Sequence, residues 1–208
     1  LIFAIPPTIK QLYSTATSNR KLRLLGSHLA HFGILLLLIG HVLTTTMVDR
    51  TDPSHLVTLV KDEPIEHNGY EFILTDVERF SADDDKYPYS IGDGYIGIII
   101  NVMEDGEKIA EVSPGMLRFT SENSVSPRSE VDRFSTIYGD TIVILDFYQS
   151  QELLEWMTFG QSEEVDRVRV TIHSLPGSHL VWLGWSIIML GSLFSLYSDS
   201  IGRNKSDK

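Results

Sequence analysis

Two long uncharged stretches limit what this chain can fold into. Leu24–Val48 holds no Asp, Glu, Lys or Arg over 25 residues, and Leu175–Ser198 holds none over 24. About 20 apolar residues in a helix cross the hydrocarbon core of a bilayer. A buried helix of a soluble protein is the alternative for either stretch, but both carry membrane features. Trp182, Trp185 and Tyr197 are residues suited to the membrane–water boundary. Gly33 and Gly40 lie seven residues apart, as do Gly184 and Gly191. That spacing keeps one stripe of each helix smooth for packing against another helix. The first stretch is too long and starts too late for a cleaved signal peptide, and Thr44-Thr45-Thr46 is a poor cleavage site.

Short basic flanks set the orientation of membrane helices. Arg20, Lys21 and Arg23 precede the first stretch; Arg203, Lys205 and Lys208 follow the second. Both ends are therefore expected in the cytoplasm. Residues 1–46 carry +4 and the tail from Asp199 carries +1, so of a net charge of -11 the middle holds -16. This excludes a nucleic-acid surface, because a phosphate backbone would be repelled. There is no cysteine, so disulfides, thiolate metal sites and cysteine nucleophiles are excluded. The first residue is Leu1, and Leu1–Pro7 reads as the end of an apolar segment closed by Pro6 and Pro7. The chain is expected to be a piece of something longer.

The pattern changes between the spans. His55–Val60, Tyr70–Val77, Tyr95–Met103, Lys108–Val112, Thr141–Tyr148 and Val165–Ile172 read as strands, several introduced by turn residues such as Asn68-Gly69 and Asp105-Gly106. About six strands suit a small β-sandwich or barrel. Gln151–Phe159 is predicted to form a helical turn or two. The fold class expected is an integral membrane α-helical protein with a β-rich extracytoplasmic domain inserted between two transmembrane helices. Its parts are a cytoplasmic segment 1–23, a helix 24–48, the acidic domain 49–174, a helix 175–198 and a cytoplasmic tail 199–208. Asp83-Asp84-Asp85 lacks the alternating ligands of a calcium loop and reads as a solvated tip. Glu163, Glu164 and Asp166 read as a solvated strand end, since adjacent strand residues face opposite ways. No residue is assigned a catalytic role.

The chemistry-bearing feature is Gly26-Ser-His28-Leu-Ala-His31-Phe-Gly33. Two histidines three apart share one face of a helix, about 60° from each other. His41 lies further along the same span. Ionisable groups inside a span are costly and face protein or a cavity. A neutral imidazole is an axial ligand for haem iron; alternatively it hydrogen-bonds a neighbouring helix. Zinc would need more ligands than one helix face offers. His179 reads as interfacial, and His55, His67 and His173 as ordinary surface or strand positions.

Four stretches in order resemble the C-terminal region of the cytochrome c maturation protein F (CcmF) family. His31-Phe-Gly-Ile-Leu-Leu-Leu-Leu-Ile-Gly40 is similar to its His-Leu-Gly span. Gly69-Tyr-Glu-Phe-Ile-Leu-Thr-Asp-Val-Glu78 is similar to its Gly-Tyr-x-Phe strand. Ser129-Glu-Val-Asp132, followed by Gly139-Asp-Thr-Ile-Val-Ile-Leu145, resembles its Glu-Val and Asp-x-Tyr-Val-x-Leu stretch. Val181-Trp-Leu-Gly184 with Met189-Leu-Gly191 resembles its closing span. Two departures stand out: Ile142 occupies a position that is often aromatic, and Leu180-Val181-Trp182 stands where the family has Trp-Ile-Trp.

The resemblance implies that His31 is an axial ligand of a membrane-embedded haem b; His28, on the same face, is the weaker alternative. It implies a subunit of a haem lyase (holocytochrome c synthase) complex in a multi-pass position in the cytoplasmic membrane. Expected partners are apocytochrome c, a periplasmic CcmE-like haem chaperone, other maturation subunits and membrane lipid. The embedded haem would keep substrate haem iron reduced during attachment. The family's other haem-handling histidines and its tryptophan-rich loop have no match here, so the piece alone is expected to be inactive. The competing classes are a structural anchor for a partner-binding β-domain, without haem, and a transporter subunit.

Overall fold

The computed structural model describes residues 4–16, 22–46, 48–49, 51–121, 124–146, 148, 153 and 166–206. The chain divides into two compact units. The first contains the helices with residues 137–140 and 175–177, and the second contains 50–136 and 141–174.

The helical unit consists of α1 (Ile5–Ala16), α2 (Leu22–Thr46) and α3 (Ser178–Ser206). Pro6 and Pro7 sit in the first turn of α1. Proline suits that place because the first helical N–H groups have no intrahelical acceptor to lose. The second long helix starts at Ser178, after a strand that runs to Pro176, and it continues through Ser206.

Glycines set how closely α2 and α3 approach. A Cβ on Gly26 would lie 2.5 Å from the Gly191 carbonyl oxygen, one on Gly33 2.7 Å from that of Gly184, and one on Gly40 2.9 Å from that of Gly177. The sequence pattern showed two glycines on each helix; the structure adds Gly26, which faces Gly191, and Gly177, which faces Gly40, to make three rungs. Each rung matches residues seven apart on both helices, running antiparallel. Backbone meets backbone there, so even one methyl group has nowhere to go. Several hydroxyls of both helices bond within their own helix. Thr44, Thr45 and Thr46 donate to the carbonyls of Gly40, His41 and Val42, and Ser186 and Ser192 donate to those of Trp182 and Ile188. In hydrocarbon such groups have no water to turn to.

Among the described residues the second unit carries ten strands, against the six expected. They are β1 (Leu56–Val60), β2 (Pro64–His67), β3 (Tyr70–Ser81), β4 (Gly94–Glu104), β5 (Glu107–Val112), β6 (Gly115–Ser121), β7 (Ser124–Glu130), β8 (Asp132–Thr136), β9 (Gly139–Leu145) and β10 (Arg167–Pro176). One sheet has the order β1-β10-β9-β8; the other runs β2-β3-β4-β6-β7, with β5 also on β4. The six sequence-read strands exist, with β3 longer and β9 and β10 shifted at their ends. The missed strands β2, β6, β7 and β8 are short or polar. Strand β7, Ser124-Val-Ser-Pro-Arg-Ser-Glu130, ends its sheet and carries Pro127, which an edge strand tolerates because its missing N–H breaks no inner ladder. Of the helical stretch expected at Gln151–Phe159, only Leu153 is among the described residues, and it is fully buried. Glu163 and Glu164 lie outside the described residues, and Asp166 is exposed.

Period-two alternation builds the core. Val57 and Leu59, Phe72 and Leu74, Ile98, Ile100 and Val102, Val143 and Leu145, and Val168, Val170 and Ile172 all point into one cluster. The two sheets thus close over a shared apolar layer, as the sandwich reading requires. The Asp83-Asp84-Asp85 segment is an exposed turn in which the Asp84 carboxylate accepts from the Ser81 N–H. Asp93 ties the end of this loop to β6, accepting from Arg118 Nε at 3.0 Å and from the Thr120 N–H at 2.9 Å. Against the upward push of burial, those bonds hold the Asp93 carboxyl below its ordinary value.

The glycine rungs predict an asymmetry. Gly33→Ala forces backbone apart and should cost about 1–3 kcal/mol, the usual penalty of overpacking. Ile34→Ala, at a position 45% exposed next door, should cost much less. Thermal unfolding of the purified chain in detergent compares them; equal midpoints would mean that the rungs do not hold the pair together.

Candidate functional site

His31 projects from α2 and is exposed, while Gly33, two residues on, is buried against α3. Two residues turn a helix through about 200°, so the imidazole leaves the side opposite the glycine contact. Its Nδ1 is 2.7 Å from the Ser27 carbonyl oxygen. A carbonyl only accepts, so Nδ1 carries the hydrogen, and in the neutral ring the lone pair is then on Nε2. That is the tautomer a metal-ligating histidine needs, with the second nitrogen already oriented by a backbone acceptor. Leu24 and Leu38 lie one heptad either side of His31, and Ile34 lies three residues on; all three are exposed. The imidazole therefore sits in a line of uncovered apolar side chains. Of the groups a single imidazole with an apolar surround could hold, a haem is one whose own macrocycle would supply the remaining nitrogens.

His28 is half-buried and about 60° from His31 around the helix. On the side of His28 away from His31 lie Phe32, Leu25 and Leu29. Those three, with Ile9, Leu12 and Tyr13 of α1 and Ile187 of α3, line an apolar cleft of about 430 Å³. The two histidines thus share a face but border different surroundings. His41 is exposed, and its carbonyl oxygen accepts from the Thr45 hydroxyl. His179 is exposed in the first turn of α3. No group of three or more His, Asp or Glu side chains placed to hold a metal ion occurs among the described residues.

The β-unit has polar features of its own. His55 and His173, near opposite ends of its sequence, meet edge to face with ring centroids 4.7 Å apart. Their contact follows from the pairing of the first strand with the last, which no short-range spacing reveals. Burial first, and then the charge of His55, push the His67 imidazole below its ordinary value of 6.5. The Asn68 amide nitrogen lies 3.0 Å from His67 Nε2, and an amide N–H donating there suits the neutral ring. Elsewhere Tyr89 and Tyr95, with Glu78, Glu130 and Asp132, line a hollow of about 300 Å³. The Tyr95 hydroxyl donates to the Ser113 carbonyl oxygen at 3.1 Å. Burial, then the neighbouring Tyr89 and carboxylates, push that phenol far up. It stays a hydrogen-bond donor in the fold and is no base.

The lowered His67 value has a sign. As pH falls below 6.5 the unfolded chain takes a proton before the folded one, so stability is kept above that pH and lost below it. Denaturant titrations between pH 8 and pH 5 should show a declining midpoint, and His67→Gln should shallow the decline. An unchanged slope would remove His67 from the account.

A search of solved structures finds one titled "Cytochrome c Heme Lyase CcmF", at a TM-score of 0.54 and 14% sequence identity. The match covers 85% of this chain and 25% of that one. The chain therefore shares its fold with a quarter of the CcmF structure, and the resemblance read from its sequence motifs is met by the fold. No protein-family model and no curated protein sequence matches the chain.

Proposed function

We propose that this chain is the C-terminal part of a CcmF-like haem lyase subunit, which holds haem in the membrane and helps attach haem covalently to apocytochrome c. The observation that carries this reading is the fold shared with the solved structure titled as the haem lyase CcmF. The two helices of suitable length and apolarity, Leu24–Thr46 and Ser178–Tyr197, support a place in the membrane. In this reading α2 and α3 cross the bilayer, the basic flanks stay in the cytoplasm, and the acidic β-unit faces outward.

His31 is the residue that would hold a haem b, through Nε2, with Nδ1 fixed on the Ser27 carbonyl oxygen. Leu24, Ile34 and Leu38 would cover the apolar macrocycle. Bound haem supplies a one-electron couple. The β-unit would meet the maturation partners: apocytochrome c, a CcmE-like haem chaperone and other subunits. A second axial ligand and the rest of the attachment machinery would come from outside this chain, which spans only a quarter of the matched structure.

In the protein assembled with its missing segments, His31→Gly should lower haem content several-fold, and added imidazole should partly restore it by filling the vacated space. His28→Ala should keep its haem. Pyridine haemochrome assay and the reduced absorption spectrum measure both. Full haem in His31→Gly together with loss in His28→Ala would move the ligand by one turn; full haem in both would leave a structural anchor as the better reading. Orientation is tested separately. A reporter active only outside the cytoplasm should work when fused after Gly106 and fail when fused after Lys208.

A further inference from the structure

The two most exposed large hydrophobic side chains among the described residues sit together. Ile137 is 88% exposed and Tyr138 79%. They form the tip of the β8–β9 hairpin, between Thr136 and Gly139. A hairpin tip of a soluble domain normally carries polar turn residues. Here it carries a branched aliphatic and an aromatic side chain, presented outward.

The tip is not free to choose its height. It is tied to the first turn of α3: the Gly177 N–H donates to the Tyr138 carbonyl oxygen at 3.0 Å, and the Asp140 N–H donates to the buried Ser178 hydroxyl oxygen at 3.0 Å. Gly139 lets the chain come this close. Its φ of +149° is a conformation other residues avoid, and a Cβ there would run into the Leu175 carbonyl oxygen. The candidate span begins at Ser178. Trp182 and Trp185, 66% and 54% exposed, follow within two turns. Ile137 and Tyr138 are therefore held level with the start of a membrane-crossing helix and its aromatic girdle. Tyr and Trp at that height place their rings among headgroups, and an aliphatic chain beside them reaches the acyl boundary.

We propose that the Ile137–Tyr138 tip inserts into the headgroup–acyl boundary of the bilayer, on the side where α3 begins. It is a third membrane contact, besides the two helices, and it acts as a depth stop. The tip clamps the helix start, so tilt or vertical sliding of α3 would pull an apolar pair into water. The proposal rests on reading Ser178–Tyr197 as a membrane span, and it is independent of haem.

The absence of cysteine in the sequence makes the test clean. Single variants Ile137→Cys, Asp84→Cys and Leu190→Cys are labelled with a nitrobenzoxadiazole probe. Each full chain is reconstituted into vesicles of phosphatidylcholine with some phosphatidylglycerol. Quenching is read with iodide on both sides of the membrane and with lipid carrying a doxyl group near the head of its acyl chain. Asp84 lies in an exposed run of three aspartates that lipid would not take up, and Leu190 is an exposed mid-helix position. The Ile137 probe should be quenched strongly by the doxyl lipid and several-fold less than the Asp84 probe by iodide. Iodide access equal to that at Asp84 would overturn the proposal, as would shielding from both quenchers, which means a protein cover. If the Leu190 probe escapes lipid that carries its doxyl group near the end of the acyl chain, the span reading itself falls; if only the Ile137 probe escapes its doxyl lipid, the tip proposal falls alone.

Discussion

Backbone-to-backbone contact between α2 and α3 is the constraint on which the helical unit depends. Lipid tails are as apolar as leucine, so no hydrophobic force drives two such helices together. What remains is dispersion, and dispersion needs close approach over a long line. Gly26, Gly33 and Gly40 facing Gly191, Gly184 and Gly177 provide that line. The regular pairing also fixes the sense of the pair: antiparallel, in one register, with no alternative match of all three rungs. A slip of one heptad would leave one glycine on each helix facing a bulkier side chain.

An antiparallel pair in this register brings the end of α2 beside the start of α3, since the last rung joins Gly40 to Gly177. An inserted domain must then enter and leave at nearly one place. The β-unit has that property independently, because its first strand, β1, pairs with its last, β10, through Leu56 to Val60 and Arg167 to Thr171. Domains with neighbouring termini can be inserted into a loop without straining their host. The two units thus satisfy the same condition by different physics: dispersion along glycine in one, ladder hydrogen bonds in the other.

Long periodic features were legible in the sequence. The helices and the six apolar strands appear because each element writes its environment in residue type at a fixed period. What escaped is non-periodic or non-local. Pro64-Ile-Glu-His67 and Asp132-Arg-Phe-Ser-Thr136 are too short and polar to stand out, and they become strands because neighbours offer them a ladder. The helix that opens at Ile5, with Pro6 and Pro7 in its first turn, was not read. The sequence reading paired Gly33 with Gly40 and Gly184 with Gly191; that Gly26 faces Gly191 and Gly177 faces Gly40 depends on the register between the helices, which spacing within one helix does not give. The His55–His173 contact depends on strand pairing that joins the ends of the domain. The shared face of His28 and His31 was readable from spacing alone; their different neighbours, an apolar cleft for one and an open line of leucines for the other, were not.

The same helix does two jobs by dividing its circumference. The contact of α2 with α3 runs along its glycines together with Ala30 and Leu37. On the side of His31, Leu24, Ile34, Leu38 and Val42 are exposed. His31 stands in the middle of that side with its Nδ1 hydrogen already spent on Ser27. The contact with α3 and the exposed imidazole thus occupy opposite sides of one helix, and neither constrains the residues of the other. Anything that coordinates with His31 must approach from the side that this chain leaves open.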